Sequence, residues 1–119
     1  MTSHIHMFEP GDKITCETTA DVIGGRLVEI TGPRRVAHAG AGSAKVFGAA
    51  ATDTKTGGDV LVLRGGVQKL VASAAIAAGD RVKAAAAGKV ATVGAGETGL
   101  GLAISTATAA DQLIQIALD

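Results

Sequence analysis

Residues 60–71 read Val-Leu-Val-Leu-Arg-Gly-Gly-Val-Gln-Lys-Leu-Val, and this stretch decides the fold class. Two runs rich in valine and leucine flank the adjacent glycines Gly65 and Gly66. Glycine adopts the positive φ angles that tight hairpin turns demand, and valine-rich runs of this length are typical of strands. We therefore predict a β-hairpin that turns at Gly65-Gly66, within an all-β fold.

Short segments of the same kind lie on both sides of this hairpin. Residues 13–18 alternate apolar and polar side chains, as a strand with one buried face does. Turn residues such as Gly32-Pro33 and Gly88 separate the segments. The pattern predicts a small β-barrel or sandwich of about eight to ten short strands. Besides the hairpin, the predicted strands are residues 13–18, 26–31, 45–52, 81–83, 89–93, 100–106 and 112–118.

Helical signals are weak along the whole chain. Residues 72–78 are rich in alanine, but Gly79-Asp80 ends the run before it reaches the length of an independent helix. Residues 108–111 are long enough for one further turn. We therefore expect at most one or two helical turns. The dipeptide Gly-Asp precedes a predicted strand at three places, Gly11-Asp12, Gly58-Asp59 and Gly79-Asp80. At each of them we expect the aspartate to cap backbone N–H groups of a turn.

Small side chains dominate the apolar content of the 119-residue chain, which has the length of one domain. Hydrophobic residues make up 47% of it, yet 24 residues are alanine and 17 more are glycine. Small side chains bury little apolar area, at about 25 cal/mol per Å², so we expect modest stability and self-association. A nearly continuous apolar run predicts a strand buried on both faces, within one chain or between subunits; it comprises Leu113, Ile114, Ile116 and Leu118.

The charge balance disfavours several classes of partner. Eleven basic and eleven acidic residues leave no excess to neutralise phosphates, and Phe8 and Phe47 are the only aromatic residues on which bases could stack. We therefore expect no nucleic-acid partner. No apolar run has the length of a membrane helix, so we expect no membrane partner. The single cysteine, Cys16, excludes an internal disulfide and is typical of synthesis in the cytoplasm.

The candidate motifs for catalysis or cofactor binding lack residues or elements that such sites require. Residues 94–99 match the GxGxxG spacing of dinucleotide sites, but a β-like segment follows where the motif requires a helix. His4 and His6 lack a third and fourth metal ligand at a recognisable spacing. Cys16 lies in an alternating strand, where we expect a small apolar core residue. We predict no enzymatic activity, no cofactor and no metal.

Several phrases of the central and C-terminal chain follow the order seen in a known family. They are residues 59–71, residues 75–82, Gly88-Lys89-Val90, Gly101-Leu102-Ala103 and residues 112–118. In order and spacing, residues 9–118 resemble the head decoration proteins of tailed phages, also called capsid cement proteins. Those are short β proteins, rich in alanine and glycine, that begin with an extended segment and a Pro-Gly-Asp turn. Pro10-Gly11-Asp12 is similar to that turn.

The resemblance implies a structural role in the virion. Decoration proteins sit on the outside of an icosahedral capsid, often as trimers, and brace neighbouring capsid subunits. For this chain, the resemblance implies the major capsid protein as a partner, together with further copies of the chain itself in a homotrimer. It also implies a location on the outer capsid surface after synthesis in the host cytoplasm.

Residues 1–11 are predicted to form an extended arm ahead of a single domain at residues 12–119. Proline restricts the residue before it to extended backbone, and extended segments pair with the sheet edges of neighbouring chains. We expect the arm to dock on an adjacent copy or on the capsid protein; a frayed terminus is the alternative. The predicted contact residues are Ile5, Met7, Phe8 and Pro10.

A small carrier module is the alternative function. Gly79-Asp80-Arg81-Val82 with Gly88-Lys89-Val90 is similar to the hairpins of biotinyl and lipoyl domains, which carry a modified lysine at a hairpin tip. Neither Lys83 nor Lys89 has the flanking methionine or Asp-Lys pair of those domains. The pattern therefore favours decoration over carriage.

Overall fold

The computed structural model describes residues 13–119, which form ten strands and one short 3₁₀ turn, Ala86–Gly88. The predicted all-β class, the strand number and the near absence of helix are thus confirmed. The strands are β1 Lys13–Thr18, β2 Leu27–Gly32, β3 Arg35–His38, β4 Val46–Ala50, β5 Asp59–Leu63, β6 Val67–Val71, β7 Arg81–Ala84, β8 Val90–Thr92, β9 Gly101–Ala103 and β10 Leu113–Leu118.

Strands β1 to β5 close into a barrel in the order β1-β3-β2-β4-β5. Strand β1 closes it, because β1 pairs parallel with β3 and antiparallel with β5. The interior is filled mainly by valine, and Cys16 is buried there with 2% of its surface exposed. The alternation predicted for residues 13–18 and the core position of Cys16 are therefore confirmed.

Strands β6 to β10 form a second, five-stranded sheet in the order β6-β10-β9-β7-β8. The sheet curls so that its two ends approach, because Ala72, just after β6, forms a parallel bridge with Val90 of β8. The Ser73 N–H donates to the Val90 carbonyl oxygen at 2.8 Å. The largest side chains inside this curl are Leu70, Ile76 and Ile116, each at most 2% exposed.

Strands β2 and β4 contribute to both cores at once. Leu27 and Ala49 pack in the core of the second sheet, while their chain neighbours Val28 and Ala50 pack in the barrel. Strands buried on both faces need small side chains where backbones approach closely. At Gly48 of β4, a Cβ atom would lie 2.6 Å from the Leu63 carbonyl oxygen, which explains the alanine and glycine of this segment.

The hairpin predicted at residues 60–71 is wrong in its pairing. Gly65 and Gly66 have the expected positive φ, 64° at each, and strands flank them. However, β5 pairs with β1 and β4, whereas β6 pairs with β10. The glycine turn therefore carries the chain from the barrel into the second sheet, because β1 and β4 already occupy both edges of β5.

Two further differences concern short segments. Strand β3 is absent from the predicted set, because its four residues contain a single fully buried side chain, Val36, and show no alternation long enough to read. Residues 72–78 contain no helical turn. Ala72 and Ile76 instead form isolated bridges with Val90 and Ala107. Long-range pairing thus prevails over the helix propensity of alanine.

Two local predictions are confirmed in the second sheet. Strands β7 and β8 form a hairpin across the turn that contains Gly88. The Asp80 carboxylate accepts a hydrogen bond from the Ala77 backbone N–H at 3.2 Å, as expected for a Gly-Asp turn. The predicted strand after residues 94–99 also forms, as β9, so the GxGxxG spacing leads into a strand and carries no dinucleotide site.

Candidate interaction surface

The residues predicted to contact a partner lie outside the described part of the chain. Ile5, Met7, Phe8 and Pro10 all precede residue 13, as do His4 and His6. Their contact role stays a prediction. The search for a functional surface therefore rests on the side chains of residues 13–119.

Strand β10 has one buried and one exposed face. Ile114 and Ile116 are at most 2% exposed, whereas Leu113 is 62% exposed and Gln115 is also exposed. Burial of both faces, as predicted for this strand, is therefore wrong within a single chain. The polar residue Gln115 is the sequence signal that identifies the solvated face. It shares this face with Leu113 and Ala117, because alternate residues of a strand point the same way.

The register extends this exposed face across three strands. Leu113 lies opposite Val71 of β6, and Ala117 lies opposite both Val67 of β6 and Leu102 of β9. Directly paired residues of an antiparallel sheet point to the same side. Together with Ile104, which follows β9, these residues form what we call the apolar face: Val67, Val71, Leu102, Ile104, Leu113 and Ala117.

The apolar face holds most of the large apolar surface that residues 13–119 expose. Of the five large hydrophobic side chains exposed there, four belong to it: Val67, Leu102, Ile104 and Leu113. The fifth, Ile23, lies on the barrel, where its N–H donates to His38. Single exposed aliphatic residues are ordinary, but contiguous ones mark interaction sites on soluble proteins.

Polar groups lie in the middle and along one side of the apolar face. Lys69 lies opposite Gln115 at its centre, and none of the ion pairs within residues 13–119 includes Lys69. Arg81 of β7 lies opposite Leu102 and forms an ion pair with Asp119. The hydrogen bond from Arg81 lowers the pKa of the Asp119 carboxyl. Lys69 and Gln115 therefore separate the apolar face into two apolar rows, and Arg81 borders one of them.

A cleft lies elsewhere in residues 13–119, between residues 42–46 and residues 97–100. It has a volume of about 500 Å³, and Ser43 and Thr98 lie on its two sides. The Lys83 ammonium and the Glu97 carboxylate meet in it at 2.6 Å, and the hydrogen bond from Lys83 lowers the pKa of Glu97. Glu97 also accepts a bond from the Gly94 N–H. These polar groups satisfy one another, so the pair holds the loop in place.

Cys16 is buried, and the two lysines of the carrier alternative are both paired. Burial raises the pKa of the Cys16 thiol, and a neutral thiol is a poor nucleophile. The lysines of the carrier alternative are both paired, Lys83 with Glu97 and Lys89 with Asp111, each at 2.6 Å. Over residues 13–119, His, Cys, Asp and Glu nowhere gather in a group of three that could hold a metal. In the same range, helices long and apolar enough to cross a bilayer are not found.

Comparisons with known proteins point to one family. A family model described as phage cement protein matches residues 8–118. Among solved structures, the head fiber gp8.5 N base of bacteriophage phi29 is similar, with a TM-score of 0.72 and 19% sequence identity. The match covers 91% of this chain and 93% of that chain. At this identity the likeness shows a shared fold. No curated protein matches the sequence.

Proposed function

The chain belongs to the phage cement protein family, and from this membership we propose that it binds the outer surface of a phage capsid and braces neighbouring capsid subunits. The observation that carries the proposal is the family match, which spans nearly the whole chain, residues 8–118. A capsid-associated structural role follows from the family, and the similar fold of a phage head protein supports it.

The proposed partners are the major capsid protein and further copies of this chain. The apolar face supports both, because its two rows offer exposed aliphatic area to a partner. The two cores support self-association, since valine and alanine supply most of their buried side chains. A homotrimer would add buried apolar area that the single subunit lacks.

The proposed attachment element is the N-terminal arm, with Ile5, Met7, Phe8 and Pro10 as contacts. The family match begins at residue 8, so the end of the arm lies within the region that resembles the family. Three large apolar side chains would contribute several kcal/mol on burial, at about 25 cal/mol per Å², before the cost of ordering the segment.

Binding to capsids tests the proposal directly. Purified protein is mixed with expanded and unexpanded capsids of the source phage, sedimented, and imaged by electron microscopy. We expect saturable binding at regular positions on the outside of the expanded capsid, and slower heat disruption of decorated capsids. Capsids that neither retain the protein nor gain heat resistance would contradict the proposed function.

A further inference from the structure

The apolar face of β6, β9 and β10 has no covering partner within residues 13–119, and we propose that the N-terminal segment of a neighbouring copy, residues 1–12, binds to it. The proposal rests on the self-association proposed above and names the surface that mediates it. The donor would be this segment, and the acceptor is the exposed face of a sheet.

The shape of the apolar face suits an extended segment. Val67, Ala117 and Leu102 form a row across three adjacent strands, and Val71 and Leu113 form a second row. Exposed fractions of 55% at Val67 and 62% at Leu113 leave much apolar area to cover. A three-stranded face is about 10–15 Å wide, since strands lie roughly 4.8 Å apart. The two rows lie four residues apart along the strands, or roughly 13 Å, so an extended segment that runs along β10 passes both rows.

The chemistry of residues 1–12 complements this face. The segment contains Ile5, Met7 and Phe8, which offer apolar area to the two rows, and Glu9 follows directly. The acceptor carries one central charge, the Lys69 ammonium, which forms no ion pair with the rest of residues 13–119. A carboxylate next to the apolar anchors is the group that Lys69 would pair with.

The place where the segment joins the domain gives it the necessary reach. Lys13 begins β1 opposite Leu63, and Leu63 is only four residues before Val67 of the apolar face. Twelve extended residues span at most about 40 Å. The five-stranded sheet is roughly 24 Å wide at the usual strand spacing. The segment can therefore leave one copy beside its own face and lie on the face of the next.

A contact between a segment and a face joins two different surfaces, so it is heterologous. Heterologous contacts close into rings when they are repeated around a rotation axis. Three such contacts would close a trimer, in which each copy donates one segment and receives one. This arrangement would cover every apolar face in the oligomer.

Thiol labelling of a cysteine placed on the apolar face tests whether the segment of another copy covers that face. The acceptor is the full chain with Leu102→Cys and with its own segment disabled by Ile5→Ser, Met7→Ser and Phe8→Ser. An excess of unaltered protein is added, and the labelling rate with a maleimide is measured. We expect about a fivefold slower rate, as for a face that is four-fifths occupied. Cys16 is buried and contributes little background.

Two controls separate this contact from general association. Adding an excess of the triple-serine chain without a new cysteine should leave the rate at Leu102→Cys unchanged. Ile23→Cys in the same acceptor should label equally fast with and without unaltered protein, because Ile23 is similarly exposed, 44% against 38% for Leu102, but lies on the barrel. Val67→Cys repeats the test on β6 in case Leu102→Cys perturbs β9.

Three outcomes would overturn the proposal. Unaltered protein could fail to slow labelling at both Leu102→Cys and Val67→Cys. The triple-serine chain could protect the face as well as the unaltered chain does, which would mean face-to-face packing. Leu102→Cys with an intact segment could be protected equally at every dilution, which would mean that the segment covers its own copy. Each of these measurements uses protein without capsids. A failure of this proposal can therefore be distinguished from a failure of the proposed capsid binding.

Discussion

Gly88 is constrained twice, by its backbone angle and by its neighbour. Its φ is +74°, and a Cβ atom placed there would lie 2.4 Å from the backbone carbonyl oxygen of Leu27 in β2. Backbone atoms cannot rotate away as a flexible side chain can. We therefore expect Gly88→Ala to lower the free energy of unfolding by about 2–4 kcal/mol, the sum of left-handed strain and overpacking. Denaturant titration measures the change.

Gly96→Ala is the matched control for this prediction. Gly96 has a similar φ of +78°, but nothing lies within 4 Å of the position that its Cβ would take. Only the strain of the left-handed backbone should remain, at about 1 kcal/mol. If the two alanine variants lost equal free energy of unfolding, the close contact between the 3₁₀ turn and β2 would contribute nothing to the loss at Gly88.

His38 makes stability depend on pH. Its Nε2 atom accepts a hydrogen bond from the Ile23 N–H at 2.8 Å, which requires an unprotonated nitrogen. Burial, and then the charge of Arg26, lower the pKa of His38 below the usual histidine value of 6.5. The unfolded chain therefore takes up this proton first as the pH falls, so the folded state loses stability from about pH 7 down to the folded pKa.

Substitution isolates this proton from the others. His38→Gln keeps an acceptor near the same place and cannot titrate, so we expect its unfolding free energy to change less between pH 7 and pH 5. The difference in slope should be at most about 1.4 kcal/mol per pH unit, which corresponds to one proton. Identical pH profiles for the two proteins would assign the titration to other groups.

Within strand β10, alanine substitutions on the two faces should have different effects on stability, because burial alternates along the strand. Ile116 is fully buried, whereas Leu113 is 62% exposed in the same strand. Ile116→Ala should cost about 2–5 kcal/mol, as large-to-small changes in a core do. Leu113→Ala should change the stability by no more than about 0.5 kcal/mol in dilute protein. Similar losses at both positions would mean that both faces of β10 are buried in the isolated chain.

At the scale of the whole molecule, the arm and the domain should be separable. The core side chains described above all lie within residues 13–119, so we expect deletion of residues 2–9 to leave a folded domain. The deletion removes Ile5, Met7 and Phe8, and its affinity for expanded capsids should fall at least about tenfold, or 1.4 kcal/mol. Circular dichroism checks the fold, and co-sedimentation checks the binding.

Deletion of residues 2–4 alone serves as the control, because it shortens the arm and keeps its apolar anchors. This shorter deletion should bind capsids as the full chain does. If the deletion of residues 2–9 also decorated capsids as tightly as the full chain, the arm would be a tail without a role in attachment.

Most strands and their turns could be predicted from the amino-acid sequence, because they depend on neighbouring residues. Strand β1 follows from the alternation of residues 13–18, and the turn at Gly65-Gly66 follows from the freedom of glycine to take positive φ. The family resemblance over residues 9–118 could also be recognised from the sequence, through short phrases that occur in the family's order. It agrees with the family match over residues 8–118.

Which strands pair and which faces stay exposed depends on the packing of the whole fold. Strands β5 and β6 are neighbours in sequence but lie in different sheets, because β1 and β4 occupy both edges of β5. The apolar face escaped prediction for a related reason. Leu113 and Ile116 are both large and aliphatic, so the single polar residue of β10, Gln115, is the only local sign of which face is solvated. Burial is a property of the packed layers, so it appears only when the sheet has closed over one side of the strand.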